Sequence, residues 1–176
     1  MKENKEALLE KIDEIYHIMI KSFPERELRT YEGQKALIDN SEYQVYTIRE
    51  QGSIIAFLSC WILPSCVFIE HLATTEQCRG KGYGKDLILE CIADQEKPVF
   101  LEIEPVTDLD PMTGRRAEFY KRLNFYLNEF SYQQQPLQKS HNPMELRIMS
   151  YGKPISEEEF LPYKKEIYSY VYKVEI

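Results

Sequence analysis

The chain has 176 residues, 43% of them hydrophobic and 29% charged, which is enough apolar material for one packed domain and argues against disorder. Its 22 basic and 29 acidic residues leave a formal charge of −7, with no basic cluster of more than a few residues. That balance argues against a nucleic-acid or anionic-membrane binder and mildly favours a cationic partner such as an amine.

The opening MKENKEALLEKIDEIY is too charged for a secretory signal, and no run of eighteen apolar residues exists. Cys60, Cys66, Cys78 and Cys91 show neither CxxC pairing nor a His at metal-ligand spacing. Each sits in an apolar segment, where Cys behaves as a small hydrophobe. The expectation is four free thiols in a reducing cytoplasm, with no metal.

Leu8, Ile12, Ile15, Tyr16, Met19 and Phe23 recur at helical spacing ahead of Pro24, which predicts an amphipathic helix with a stop signal. A shorter helix is predicted over Thr30–Ile38. From Tyr43 the composition turns β-branched and aromatic, predicting a hairpin of Tyr43–Arg49 and Ser53–Leu63 around Gly52, then a strand over Cys66–Thr74. A glycine cluster follows, and Leu87, Ile88, Cys91 and Ile92 mark one face of a helix. Pro98 opens a strand, VFLEIE. Residues 105–114 read as a loop, Arg115–Leu123 as a helix that Asn124 ends in the left-handed conformation, and Phe125–Tyr132 as a strand. The polar stretch QQQPLQKSHNP at 133–143 separates it from a last strand, Met144–Tyr151.

Ser156 and Glu159 spell a capping box for a final helix, although Pro162 argues for a later start. The order predicts an α/β (α+β) fold: a mixed, mostly antiparallel central sheet with helices on both faces. Residues 1–176 are expected to form a single domain, with 152–176 as a C-terminal helical extension.

The chemistry lies in Gln77-Cys78-Arg79-Gly80-Lys81-Gly82-Tyr83-Gly84-Lys85-Asp86, between an apolar strand and an apolar-faced helix. Alternate glycines let the backbone turn tightly and approach a ligand. Unpaired N–H groups at a helix N-terminus, with its dipole, suit a phosphate or pyrophosphate. A Walker A loop fails, because Arg79 stands where its first glycine belongs and Asp86 where its hydroxyl belongs. The dinucleotide GxGxxG also fails, because Gly80, Gly82 and Gly84 give GxGxG, and in mid-chain.

What remains is R/Q-x-x-G-x-G/A on Arg79, Gly82 and Gly84, after a strand ending Leu72-Ala73-Thr74. Here the chain resembles the GCN5-related N-acetyltransferase (GNAT) superfamily, in element order as well as motif, over about residues 5–150; it looks like a small acetyltransferase of the bacterial type. Ala117-Glu118-Phe119-Tyr120-Lys121-Arg122-Leu123-Asn124-Phe125 resembles the family's later A-x-x-F/L-Y-x-x-L-G-F segment, with Asn124 in place of Gly and Gly114 where Asn is frequent.

The resemblance implies that Leu72, Ala73 and Thr74 contact the pantetheine of the cosubstrate acetyl-CoA. Arg79, Gly80, Lys81, Gly82, Tyr83 and Gly84 would hold its pyrophosphate. Tyr120 would lie near the sulfur and protonate the leaving thiolate. It implies a small-molecule or peptide amine as acceptor, no nucleic acid or membrane partner, and leaves a homodimer open.

An ammonium must lose a proton before it attacks a thioester. Glu102 matches a position where some relatives carry a general base and is the expected catalytic carboxylate. Glu70, Glu104 and a water chain stay open. His71 has a suitable intrinsic pKa, but strand alternation puts it opposite Glu70. Gln133, Gln134, Gln135 and His141 are hydrogen-bonding groups on the expected acceptor side. The alternative reading is a non-catalytic or regulatory CoA-binding member of the same fold.

Overall fold

The computed structural model describes all of residues 1–176. Asn4 caps the first helix, α1 (Lys5–Ser22), by accepting from the Ala7 N–H, and Leu8, Ile12, Ile15, Ile18 and Met19 form its buried stripe. Thr30 caps the short α2 (Tyr31–Ala36) in the same way, through the Gly33 N–H. The strands are β1 (Tyr43–Glu50), β2 (Ser53–Ile62), β3 (Val67–Thr74), β4 (Val99–Ile103), β5 (Phe125–Gln134) and β6 (Met144–Tyr151). They make a six-stranded, mostly antiparallel sheet in the order β1-β2-β3-β4-β6-β5. The remaining helices are α3 (Tyr83–Ala93), α4 (Pro111–Arg122) and α5 (Glu157–Tyr170).

Two compact units make up the chain. The first comprises Met1–Ile62, Ile69–Glu96 and Leu137–His141. In it β1 and β2 form the predicted hairpin, with Gln51 and Gly52 both at positive φ in the turn. All but the ends of β2 are buried, so both of its faces are covered. On one face Cys60 meets Cys91 of α3, with 3.8 Å between the sulfurs. On the other, the guanidinium of Arg29, just ahead of α2, lies 5.6 Å from the centroid of the Trp61 ring.

The second unit comprises Leu63–Phe68, Lys97–Pro136 and Asn142–Ile176. Here β6 pairs antiparallel with both β4 and β5, and β5 carries a bulge between Asn128 and Tyr132. Phe100, Phe160 and Tyr132 are buried together, Phe160 meeting Phe100 at 5.1 Å and Tyr132 at 6.0 Å between ring centroids.

Three local expectations change. The helix expected from Arg115 starts at Pro111, because Asp110 accepts from the Met112 N–H as N-cap and proline suits the first helical position; the 105–114 loop therefore stops at Asp110. Helix α5 does not start late. The Ser156–Glu159 capping box is complete and Pro162 stays inside the helix, where buried Phe160, Ile167 and Tyr168 outweigh one lost backbone hydrogen bond. Strand β5 runs through Gln134, so Gln133 and Gln134 are strand residues. Asn124 takes φ 69°, as its place after α4 requires. All four cysteines are free and buried, and no helix is long and apolar enough to cross a membrane.

Candidate functional site

The glycine loop belongs wholly to the first unit. A single 3-10 turn, Glu76–Cys78, leaves β3 and is pinned by buried Cys78. Gly80 and Gly82 then take φ 79° and 87°, left-handed angles that a side-chain-bearing residue adopts only at a cost. Gly82 is the N-cap of α3 and offers no side chain to the helix end. Its carbonyl accepts from Asp86 at 3.0 Å, so the N–H groups of Tyr83, Gly84 and Lys85 precede the first helical hydrogen bond.

A Cβ built at Gly80 or Gly82 would meet no heavy atom within 4 Å, so the side-chain positions of both glycines are open. Exposed Arg79, Lys81 and Lys85 surround them. Tyr83 bonds to Glu50 and steadies the first turn, and Arg79 Nε donates to the Thr74 carbonyl at 3.4 Å. Uncapped donors, helix dipole, open space and positive charge together fit a pyrophosphate.

In β3, Ala73 is buried, while Leu72 and Thr74 are half-buried and share a strand face with Glu70. Glu70 receives two hydrogen bonds from Arg29, at 2.7 and 3.0 Å, and both side chains are buried. Burial pushes the Glu70 carboxyl up, but the Arg29 guanidinium and then His71 outweigh it and hold the group well below the usual carboxylate range. Alternation sends His71 to the other face, yet its Nδ1 lies only 3.5 Å from Glu70, while Nε2 lies 2.9 Å from the Glu27 carbonyl. Glu70 is thus an ionised partner of Arg29.

Glu102 sits in the second unit, on β4. Its Oε1 accepts from the Tyr132 hydroxyl at 2.6 Å and its Oε2 from Gln134 Nε2 at 2.7 Å. The Tyr172 hydroxyl lies 2.8 Å from both oxygens. Glu104 falls just beyond the strand and pairs with Arg116 of α4. Tyr120, on α4, is half-buried, with its ring edge-on to Phe119 and Phe125 at 5.0 and 5.8 Å. Burial pushes its phenol up to about 12, Arg116 acting weakly in the other direction. Its proton is therefore held through the whole neutral range.

Within each unit, then, the loop and its leading strand residues adjoin one another, and Glu102 sits among hydroxyl and amide donors. Sequence reasoning missed four participants: Arg29, Tyr132, Tyr172, and Gln134 as a direct partner of Glu102. No periodicity marks them, since each acts on a residue 30 or more positions away. Gln135 donates to the Tyr168 hydroxyl at 3.4 Å, and the buried Nδ1 of His141 has no hydrogen-bond partner.

Comparison with known proteins bears on the fold and the family. A candidate acetyltransferase of Bacillus subtilis (strain 168), YjbC, is 28% identical over 159 residues, covering 89% of this chain and 80% of that protein. The structure superimposes on a candidate GNAT-family acetyltransferase from Bacteroides thetaiotaomicron with a TM-score of 0.86 at 24% identity, over 99% of each chain. It also superimposes on Arabidopsis thaliana NAA60 in complex with acetyl-CoA, with a TM-score of 0.62 at 17% identity over 81% of this chain and 93% of that one. The family model for the acetyltransferase (GNAT) family matches residues 12–125, from within α1 to the start of β5 and across the whole glycine loop. The chain belongs to the GNAT family, the acetyl-CoA-dependent N-acetyltransferases.

Proposed function

We propose that this protein transfers the acetyl group of acetyl-CoA to a primary amine by direct attack in a ternary complex, residues 1–176 acting as one acetyltransferase domain. The observation that carries the reading is the uncapped N-terminus of α3 behind two left-handed glycines whose side-chain positions are open. Arg79, Gly80, Lys81, Gly82, Tyr83 and Gly84 hold the pyrophosphate through backbone N–H groups and side-chain charge. Leu72, Ala73 and Thr74 guide the pantetheine arm. In the transfer, the C–N bond forms as the C–S bond breaks. Glu102 takes the surplus proton of the attacking amine, and Tyr120 supplies a proton or hydrogen bond to the departing sulfur.

The acceptor class is a small-molecule or peptide amine, in keeping with the net charge of −7. A turnover screen against polyamines, aminoglycosides, amino acids and peptide N-termini tests this. Tight CoA binding with no turnover on any of them would instead identify a CoA-binding regulatory member of the fold. Binding is checked first. At a CoA concentration about 100 times Kd, the folded state gains roughly 2.7 kcal/mol, which raises Tm. No shift with millimolar CoA, alongside a shift with ATP or NAD, would remove the central claim.

Tyr120→Phe is expected to lower kcat about a hundredfold with little change in the KM for acetyl-CoA. The leaving thiol has a pKa near ~8.5 by analogy with cysteine. A phenol held at about 12 is a much weaker acid, so it stabilises the developing thiolate by donating a hydrogen bond. The cost falls at the low end of the ~10²–10⁴ range for a general acid. The ring contacts with Phe119 and Phe125 survive in Phe, which confines the loss to kcat. Wild-type turnover in a chemistry-limited assay would return Tyr120 to a packing role.

A further inference from the structure

We infer that Tyr172, in the segment beyond α5, is a positioning residue for Glu102, which makes the C-terminal extension part of the catalytic apparatus. The inference rests on the proposed role of Glu102 in accepting the amine proton. Tyr172, like Tyr132 and Gln134, lies outside the 12–125 stretch that the family model matches.

The terminal torsion of a glutamate is soft, so a carboxylate on a strand rotates unless something fixes its plane. Three donors fix this one. Tyr132 acts on Oε1 and Gln134 on Oε2, both from β5. Tyr172 stands 2.8 Å from each oxygen and donates across the two, from outside the sheet. Donors on each oxygen and one bridging them define both the position and the rotation of the group.

The chain is built to deliver Tyr172 there. Val171 closes α5 with its N–H on the Ile167 carbonyl. Lys173 then takes φ 58°, and the turn brings the Val174 N–H back to the Tyr168 carbonyl at 2.9 Å. Between these anchors the Tyr172 ring packs edge-on against Tyr168 at 6.1 Å. Tyr168 in turn lies 6.0 Å from Tyr132 and donates its hydroxyl to the Gln133 carbonyl. Packing alone would be served as well by phenylalanine. The hydroxyls at 132 and 172 are what converge on Glu102.

The test is a double-mutant cycle, read on the best amine from the acceptor panel with saturating acetyl-CoA. Glu102→Gln is expected to lower kcat about a hundredfold. Tyr172→Phe, which keeps the ring, is expected to lower it about tenfold while leaving the KM for acetyl-CoA within about twofold, the pattern of a misaligned reacting group. In the Glu102→Gln background, Tyr172→Phe should cost nothing further. Wild-type kcat for Tyr172→Phe overturns the inference. So do losses that multiply across the double variant, since these mark an independent structural effect. Wild-type turnover by Glu102→Gln alone overturns the role of Glu102 itself, and this inference with it. Thermal melts of each variant separate a folding defect from a slower reaction.

Discussion

Gly82→Val is expected to weaken CoA binding about a thousandfold while α3 and the strands beneath it stay folded. Gly82 holds φ 87° at the N-cap of α3, a region that β-branched residues rarely enter. The variant must therefore either strain the loop or flip it to negative φ. In the first case its methyl groups enter space that is open in the free protein, beside the proposed ligand. In the second the uncapped N–H groups turn away from the ligand. Either route removes about two charge-assisted hydrogen bonds to a pyrophosphate, each worth about 1.5–3 kcal/mol, and their sum of about 3–6 kcal/mol brackets the ~4.1 kcal/mol of a thousandfold change.

The loop is solvent-exposed, and the helix body is held by buried Leu87, Ile88 and Cys91, so the damage stays local. Calorimetric titration with CoA checks the affinity and circular dichroism the fold. Gly82→Ala adds a single methyl that meets nothing of the protein, so any loss beyond its left-handed strain of about 1–2 kcal/mol reports on space the ligand fills. A folded Gly82→Val that binds CoA as tightly as wild type would place the phosphate site elsewhere.

Arg29→Met is expected to cost about 3–5 kcal/mol of stability at neutral pH, because it leaves the buried Glu70 carboxylate without its two-point partner. It also changes the sign of the pH dependence. In the wild type, the Glu70 carboxyl lies below its ordinary value near ~4.3, so its contribution is present above that value and is lost as pH falls through the depressed one. Without Arg29, burial dominates and lifts the carboxyl above its unfolded value, His71 at 3.5 Å remaining as a weaker partner. The folded variant then binds the proton more tightly than the unfolded chain, and stability falls as pH rises from about 5 to 8. Urea unfolding at both pH values measures the slope. Arg29→Met with Glu70→Leu should recover much of the loss, since both charges are gone. A single variant as stable as wild type at pH 8 would show that the pair contributes nothing to folding.

These two predictions differ in how far the sequence alone could have reached them. The glycine loop was legible, because its chemistry depends on conformational freedom at Gly80 and Gly82 and on a helix beginning directly after them. Both are local properties of a ten-residue stretch. Helix α1 was legible for the same reason, through the spacing of Leu8, Ile12, Ile15 and Met19, and so was the Ser156–Glu159 cap of α5.

The start of α4 was legible in principle and overlooked: Asp110-Pro111 is an N-cap followed by a first-turn proline. Pro162 misled, because its cost is local while the packing of Phe160, Ile167 and Tyr168 that offsets it is tertiary.

What the tertiary structure alone decided is which carboxylate has which partner. In the sequence, Glu70, Glu102 and Glu104 are three strand acids, among which only the family resemblance prefers Glu102. Folding gives Glu70 to Arg29 across 41 residues, Glu104 to Arg116, and Glu102 to tyrosines 30 and 70 residues away. A hydrogen bond's strength depends on distance and angle in space, and neither leaves a periodic trace along the chain. The sequence by itself therefore determined the glycine loop and the elements that present it, while the assignment of each acid waited for the sheet to bring its partner to it.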